Sequence, residues 1–128
     1  MYYILELLRG YMSDQFRTDK WILNMFDGWF DPCPLDPRWI TDGLTLEWPD
    51  KTFINPPYSA PLRWVQKAIF HHKMEGKRMV MLLKHDSSTK WYGLLHEAGA
   101  SFLMVDRRLK YQTGKSAPFP SILAVLTK

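Results

Sequence analysis

Asn-Pro-Pro-Tyr, at residues 55–58, is the stretch whose residue types and spacing could do chemistry. It follows the apolar residues Phe53 and Ile54, where a strand would end. Each proline fixes φ and removes a backbone donor, so the pair stiffens the chain. Such stiffness is useful if Asn55 and Tyr58 must be held in place against a bound group. An ordinary turn is the other interpretation, since asparagine and proline are both turn formers.

Strands and helices alternate around this motif. The helical pattern of residues 61–76 places Leu62, Val65 and Ile69 on one face, and Gly76 closes it. Two more helices are predicted, at 18–27 with Thr18 as cap and Trp21, Ile22 and Met25 buried, and at 88–99 with Ser88 or Thr89 as cap. Strands are predicted at 28–30, 52–54, 78–85, 101–111 and 121–128, with a turn or short strand at 41–48 and a loop at 115–120. The order of the main elements, strand–helix–strand–helix–strand–strand, predicts an α/β fold with a mostly parallel sheet flanked by helices.

Three unusual loops fall where predicted strands end. They are DPCP at 31–34, NPPY at 55–58 and KHDSS at 84–88. Ligands of parallel α/β sheets bind at the carboxyl ends of the strands. We therefore expect the three loops to form one site at one edge of the sheet.

Length and composition favour one globular domain. The chain has 128 residues, of which 46% are hydrophobic and 23% charged, so a single domain over residues 1–128 is expected. Residues 1–12 are either a short amphipathic helix or an extension ahead of a natural start at Met12. No apolar run approaches the ~20 residues of a membrane span, and residues 1–12 lack the cleavage site of a signal peptide. These features predict a cytoplasmic protein with no membrane partner.

Cysteine, histidine and charge limit the remaining chemistry. Cys33 is the single cysteine, which excludes an internal disulfide and a cysteine-rich zinc site. The four histidines form no metal-binding pattern with a second cysteine or a nearby carboxylate pair, so no metal is expected. A net charge of +4 permits a polyanionic partner without demanding one.

A series of motifs, in their order and spacing, carries a resemblance to a known family. The motifs are RTDKWIL, FDPCPLDP, DGLTLEW, TFINPPYS with a WVQKA helix, MLLKHDSSTKWY, RLKY and APFPS. Together they resemble the phage-type DNA N6-adenine methyltransferase family over about residues 13–127. The resemblance implies a minimal Rossmann-like fold and S-adenosylmethionine as the cofactor.

The resemblance assigns catalysis to Asn55, Pro56, Pro57 and Tyr58. The exocyclic amine of adenine is a poor nucleophile because its lone pair is delocalised into the ring. Two acceptors on the amine hydrogens, the Asn55 side-chain oxygen and the Pro56 carbonyl, would localise that lone pair. Tyr58 would stack on the base after it is flipped out of the helix. No metal and no covalent intermediate are needed.

The resemblance also implies a set of cofactor-binding residues. They are Thr18, Trp21, Phe30, Asp31, Pro32, Cys33, Pro34 and Asp42. The sequence departs from the family pattern here, because Asp31 and Asp42 lie close together where a helix and a strand are usual. Pro-Cys-Pro also replaces the usual glycines, and Asp36 is the only candidate by position for the ribose. The cofactor pocket is therefore expected to be abbreviated.

A third set of residues is implied to bind DNA. They are Tyr58, Ser59, Lys84, His85, Arg108, Lys110, Tyr111 and Lys115. For Lys84 and His85 the alternative is a polar strand end. For the cluster at 107–115 the alternative is a charged edge strand that resists aggregation.

Two classes of function remain open from the sequence. The first is DNA adenine-N6 methylation, with methylation of cytosine N4, an RNA base or protein glutamine as variants of the same motif. The second is a nucleic-acid-binding module that keeps the fold and has lost the cofactor, because the segment after Asp31 is short. A homodimer would bury some of the many aromatic residues. The resemblance implies a virus or mobile element whose DNA is protected from host nucleases.

Overall fold

The computed structural model describes residues 19–34, 42–105, 108–109 and 119–127. Within these residues the predicted order of the main strands and helices is confirmed. The elements are α1 (Lys20–Met25), a 3-10 helix (Gly43–Thr45), β1 (Thr52–Ile54), α2 (Leu62–Glu75), β2 (Met79–Lys84), α3 (Lys90–Glu97), β3 (Ser101–Met104) and β4 (Ser121–Leu126). The predictions for residues 1–12 and for Thr18 and Asp36 lie outside the described residues.

The sheet is mixed, and the prediction of a mostly parallel sheet is wrong for the described strands. Their order is β1-β2-β4-β3. β1 pairs with β2 in parallel, whereas β4 runs antiparallel to both β2 and β3. A parallel neighbour needs a crossover, usually a helix, whereas antiparallel strands can be joined without one. No helix was predicted between residues 101 and 128, so the sequence carried the signal for an antiparallel pair.

β1, β2 and β3 therefore run in the same direction. We call the edge where these three strands end the carboxyl edge, and the edge where they begin the amino edge. β4 runs the other way, so it begins at the carboxyl edge. The two edges are chemically different.

Apolar residues cover both faces of the sheet. On one face Ile54, Met81 and Leu83 form a buried cluster with Val65 of α2 and Leu95 of α3. On the other face Phe53, Val80 and Leu82 pack with Ile22 of α1 and with Leu109. Burial on both faces explains why β2 reads as a continuous apolar run with no polar alternation.

The first described helix is shorter than predicted. α1 covers six residues where residues 18–27 were expected, and its N-cap, Asp19, makes no side-chain cap hydrogen bond. Of the predicted buried stripe only Ile22 is buried, whereas Trp21 and Met25 are 43% and 54% exposed. Met25 is the last residue of α1, and of these three residues only Ile22 packs into the core. Residues 28–30 pair with β1 through a single parallel bridge from Phe30 to Thr52.

The two longer helices agree with their predicted ends. Gly76 closes α2 with a left-handed φ of 68°, and Thr89 caps α3 by accepting a hydrogen bond from the backbone N–H of Tyr92. The buried face of α2 is displaced from the prediction, because Val65 is buried while Leu62 and Ile69 are only half-buried. None of the described helices is long and apolar enough to span a membrane.

Trp48 fixes the segment 42–48 along α2. It has no exposed surface and lies 5.9 Å from Trp64, ring to ring. Its indole N–H donates to the carbonyl of Gly43 at 2.9 Å. Lys67 reaches the carbonyl of Leu44 at 3.0 Å from the middle of α2. Within this segment Gly43–Thr45 form a 3-10 helix, where a turn or short strand was expected. The segment runs along α2.

Candidate active site

The three unusual loops meet at the carboxyl edge, as the sequence predicted. Residues 55–58 follow β1 directly, and residues 84–88 begin at the last residue of β2. β1 and β2 are parallel, and the bridge between Phe30 and Thr52 is parallel too. The chain therefore leaves all three strands at the same edge. The first residue after the last paired one is Asp31 in the segment beside β1, Asn55 after β1 and His85 after β2.

Asn55 is held at the end of β1 in a mostly buried position. Its exposed fraction is 8%, and Pro56 beside it is also buried. Neither Pro56 nor Pro57 carries a backbone donor, so the strand ladder cannot continue through either residue. The chain then turns, with the N–H of Ala60 donating to the carbonyl of Pro57 at 3.2 Å. The motif thus sits between a fixed strand and the start of α2.

Tyr58 lies against an aromatic ring that the sequence analysis did not single out. Its ring centroid is 4.6 Å from that of Phe119, in an edge-to-face arrangement with an interplanar angle of 66°. Phe119 stands at the carboxyl edge because β4 begins there, and the carbonyl of Pro120 accepts a hydrogen bond from the N–H of His85 at 2.9 Å. An aromatic residue between two prolines ahead of a strand was the signal that could have found it. Ser59, assigned to DNA, is exposed.

The loop after β2 carries a fixed carboxylate that the sequence analysis also passed over. Oδ1 of Asp86 accepts hydrogen bonds from the backbone N–H and hydroxyl of Ser88, at 3.0 and 2.5 Å. These hydrogen bonds lower the pKa of the Asp86 carboxyl, and the nearby Lys84 adds to the effect. The hydroxyl of Thr89 donates to the carbonyl of Asp86 at 2.9 Å. Asp86 is therefore an ionised side chain on a rigid turn.

A cleft of about 130 Å³ opens beside this turn. We call it the Asp86 cleft. Its apolar lining comes from Tyr58, Pro61, Leu83 and Trp91, and its polar lining from Lys84, Asp86 and Thr89. It lies between the end of β1, the end of β2 and the start of α3. Aromatic walls and charged groups thus share one concavity at the carboxyl edge.

The loop at 31–34 carries a partly buried carboxylate. Oδ1 of Asp31 accepts a hydrogen bond from the backbone N–H of Cys33 at 2.9 Å. Burial raises the pKa of the Asp31 carboxyl, and this hydrogen bond opposes the shift. Phe30, Cys33 and Pro34 are half-buried, and Phe30 and Cys33 pack against the larger apolar cluster. The predicted cofactor residues 30–34 are therefore brought together next to β1.

Gly43 holds the segment at 42–48 against this loop. A Cβ atom on Gly43 would lie 1.9 Å from the carbonyl oxygen of Pro32, which no side chain tolerates. The prediction placed Asp42 near the cofactor, and the packing of Gly43 does bring it beside residues 31–34. Its Oδ1 accepts a hydrogen bond from the N–H of Leu44 at 3.0 Å, so this carboxylate also caps the 3-10 helix.

The remaining predicted site residues are exposed or lie outside the described residues. Lys84 and Arg108 are exposed, and Leu109 beside Arg108 is buried in the smaller cluster. Trp21 stands exposed on α1. Lys110, Tyr111 and Lys115, predicted to contact DNA, and Thr18, predicted to contact the cofactor, lie outside the described residues. The roles of all these residues stay predictions.

The structure brings together one His and carboxylate group that the sequence analysis did not find. Ligand atoms of Glu47, His71 and Glu75 lie within 4.8 Å of one another at the amino edge. His71 and Glu75 are in direct contact. Lys77 lies between the two glutamates, at 3.2 Å from Glu75 and 3.8 Å from Glu47. A lysine ammonium thus already lies within ion-pair distance of both carboxylates of this group.

Comparison with known proteins identifies the family. Residues 8–117 match the family described as DNA N-6-adenine-methyltransferase (Dam). A DNA N-6-adenine-methyltransferase of Haemophilus phage HP1 (strain HP1c1) is 32% identical over 97 residues, which covers 64% of this chain and 56% of the phage protein. The chain therefore spans about half the length of this relative. No solved structure is significantly similar to the chain. Since the family match includes the segments that build the carboxyl edge, the chain belongs to the DNA N-6-adenine-methyltransferase (Dam) family.

Proposed function

We propose that the protein transfers a methyl group from S-adenosylmethionine to the N6 amine of adenine in DNA. One observation carries the proposal: Asn55 and Pro56 are buried at the carboxyl end of β1, beside Tyr58, in a chain of this family. The end of a strand in an α/β sheet is where ligands bind. A planar base bearing an amine is the ligand that an amide, a carbonyl and an aromatic ring suit together.

Asn55 and Pro56 would act on the amine itself. The side-chain oxygen of Asn55 and the carbonyl of Pro56 each accept a hydrogen bond from one amine hydrogen. Both acceptors are fixed before the base arrives, because a strand precedes them and a proline-stiffened turn follows. Acceptors that need no rearrangement are the main source of electrostatic catalysis. The amine nitrogen keeps its lone pair directed out of the ring plane, and the amine loses one proton readily after methylation.

Tyr58 and Phe119 would hold the base. The two rings meet edge to face beside the Asn-Pro-Pro-Tyr turn, so a flat ligand bound there would contact aromatic surface. A base can stack on an aromatic ring only after leaving the helix, which costs a few kcal/mol of unstacking. Base-to-ring stacking returns about 1–3 kcal/mol per base, so the rings offset much of that cost.

Residues 30–34 and Asp42 fit the cofactor in their chemistry. The carboxylate of Asp31 stands at the carboxyl end of the segment beside β1, and it suits an ammonium or a hydroxyl group as partner. Gly43 lets residues 42–43 close onto the carbonyl of Pro32 and so completes one wall. When bound, S-adenosylmethionine would supply the methyl group. The residues of this chain would bind its polar ends and keep water away.

The broader assignment follows from the same site. We propose a single Rossmann-like methyltransferase domain, with DNA contacted through Ser59, Lys84, His85 and Arg108 and through Lys110, Tyr111 and Lys115. Exposed cations near the carboxyl edge would contact phosphates, and this part of the affinity falls as salt is added. The protein would act in the cytoplasm of a host cell, as a monomer or a homodimer.

Product analysis tests the proposal. The wild type, Asn55→Ala and Gln66→Ala are incubated with labelled S-adenosylmethionine and unmethylated DNA, and the digested nucleosides are identified by mass spectrometry. Gln66 is the matched control, because it is an amide exposed on α2. We expect N6-methyladenine from the wild type and from Gln66→Ala, and none from Asn55→Ala.

Other outcomes would replace the proposal. Label in a cytosine product would move the target to cytosine N4. Cofactor binding without labelled DNA would point to an RNA or protein substrate. Neither label nor cofactor binding, in folded protein, would leave a nucleic-acid-binding module.

A further inference from the structure

The Asp86 cleft is separate from the place where the target amine would bind. Asn55 and Pro56 are not among the residues that line it, whereas Tyr58 is. The two acceptors proposed for the target amine therefore lie outside the cleft, which shares Tyr58 with that part of the site. A ligand group other than the target amine would have to fill the cleft.

The walls of the cleft suit a flat apolar ring. Leu83 and Trp91 contribute apolar surface and are 1% and 8% exposed, so the core holds them in place. Tyr58 adds a second aromatic ring at the mouth. Nucleobases of any sequence stack on such surfaces, because every base has a π-face.

The charged groups of the cleft would distinguish bases by the hydrogen-bonding groups that they present. Oδ1 of Asp86 is used by Ser88, but within the described residues Oδ2 takes part in no hydrogen bond. The ammonium of Lys84 likewise has no hydrogen-bond partner in the described part of the chain. An ionised carboxylate accepts hydrogen bonds and donates none. A base that presents an exocyclic amine can donate to it from that amine, whereas thymine offers it only the ring N3–H, which lies between two carbonyl oxygens that repel the carboxylate.

We propose that the Asp86 cleft binds the unstacked base next to the target adenine and selects a base with an exocyclic amine over thymine. Asp86 accepts a hydrogen bond from the amine. Lys84 donates to the ring nitrogen or carbonyl beside that amine. Tyr58 separates the two bases, with one on each side. The inference rests on the proposed function, because it requires a DNA strand in the site.

Methylation rates on a matched set of substrates test the inference. Oligonucleotides with one adenine carry each of the four bases at the position before or after it, and kcat/KM is measured for each. For the wild type we expect amine-bearing bases to exceed thymine by about tenfold at one of the two positions. Asp86→Asn should reduce this ratio to below about threefold, because an amide can accept from or donate to any base.

A control separates base reading from loop structure. Ser88→Ala removes one hydrogen bond to Oδ1 of Asp86 and leaves the carboxylate in place. It should keep the wild-type preference. An unchanged preference in Asp86→Asn, or no preference in the wild type, would overturn the inference.

A binding measurement tests the inference independently of methyl transfer. Fluorescence anisotropy gives the Kd of the same labelled oligonucleotides without any methyl donor. We expect weaker binding of the thymine-flanked strand by the wild type and equal binding by Asp86→Asn. If the wild type methylates no DNA, the proposed function fails. The anisotropy alone then decides the inference, and equal binding of all strands by the wild type would overturn it.

Discussion

The amino and carboxyl edges of the sheet treat their charged groups in opposite ways. At the amino edge Asp50 accepts two hydrogen bonds from the Arg78 side chain, at 2.6 and 3.1 Å, and one from its backbone N–H at 2.7 Å. At the carboxyl edge Oδ2 of Asp86 and the ammonium of Lys84 have no hydrogen-bond partner in the described part of the chain. At the amino edge the charged side chains are paired with other residues of the chain. At the carboxyl edge Asp86 and Lys84 keep polar atoms available to a ligand.

Burial differs between the edges as well. Asp50 and Arg78 are each about half exposed, at 47% and 46% of their side chains. Asn55 is 8% exposed, and burial raises the pKa of Asp31. Burying polar groups costs free energy, and ionisable groups with shifted pKa values concentrate at functional sites. The comparison therefore separates residues that stabilise the fold from residues that serve the reaction.

Displacing the amide of Asn55 should have the largest effect. Asn55→Gln keeps the amide but moves its oxygen by one methylene, and a misplacement of that size can lower a rate about 100-fold. Steady-state kinetics would measure the loss of kcat, and circular dichroism would show that the fold is kept. Asp50→Asn changes a polar group at the amino edge and should leave kcat unchanged. Equal losses of kcat in the two variants would contradict the functional difference between the two edges.

Adding a methyl group at Gly43 should have the second-largest effect. Gly43→Ala places a Cβ on the carbonyl oxygen of Pro32, so the loop at 31–34 must move. We expect a loss of about 1–3 kcal/mol in unfolding free energy, as for other overpacked positions, together with weaker S-adenosylmethionine binding by calorimetry. Gly93→Ala is the matched control, because a Cβ there meets nothing within 4 Å. On an exposed helix it should stabilise the protein by about 0.5–1 kcal/mol. Unaltered cofactor binding in Gly43→Ala would remove residues 42–43 from the cofactor site.

Removing the ring of Tyr58 should have a moderate effect. Tyr58→Ala loses base stacking of about 1–3 kcal/mol, so kcat/KM should fall roughly tenfold. Tyr58→Phe keeps the ring and should stay within about threefold of the wild type. Phe119→Ala and the double variant complete a cycle, and a smaller combined loss than the sum would show that the two rings act on one base. A large loss in Tyr58→Phe would instead assign the role to the hydroxyl group.

The pH dependence of stability at the amino edge should show the smallest effect. The hydrogen bonds from Arg78 hold the pKa of Asp50 well below its usual value. A carboxyl with a lowered folded-state pKa stabilises the protein above its unfolded pKa, and this contribution is lost as the pH falls. The difference in Tm between the wild type and Asp50→Asn should therefore be positive above about pH 4 and shrink below it. Added salt should reduce it at neutral pH, and a difference that grows on acidification would contradict the assignment.

Local signals in the sequence predicted a large part of the fold. The boundaries of α2 and α3 followed from Gly76 and from Thr89, because caps act over one helical turn. The end of β1, just before Asn55, followed from the two prolines. The amides and rings that lie apart in the chain were harder to place. Phe119 reaches the carboxyl edge only through the antiparallel pairing of β4 with β2.

The errors have physical causes too. Trp21 and Met25 had the spacing of a buried stripe, but α1 ends at Met25 and only Ile22 of the three is buried. The direction of β4 depends on pairing between distant residues, and a periodicity of hydrophobic residues does not encode direction. The group formed by Glu47 with His71 and Glu75 joins a loop to a helix, so no local spacing could reveal it.

The position of β4 also bears on how the chain reaches its native state. β3 has β4 as its pairing partner in the described sheet, and residues 121–126 pair with residues 79–84. Contacts of such sequence separation form late, because a long loop must close before they are gained. β1, α2 and β2 can assemble early as a local unit, with Asn55 already in position. Tyr58 meets Phe119 only when β4 docks, so strand docking and the ability to hold a base should appear in one kinetic phase.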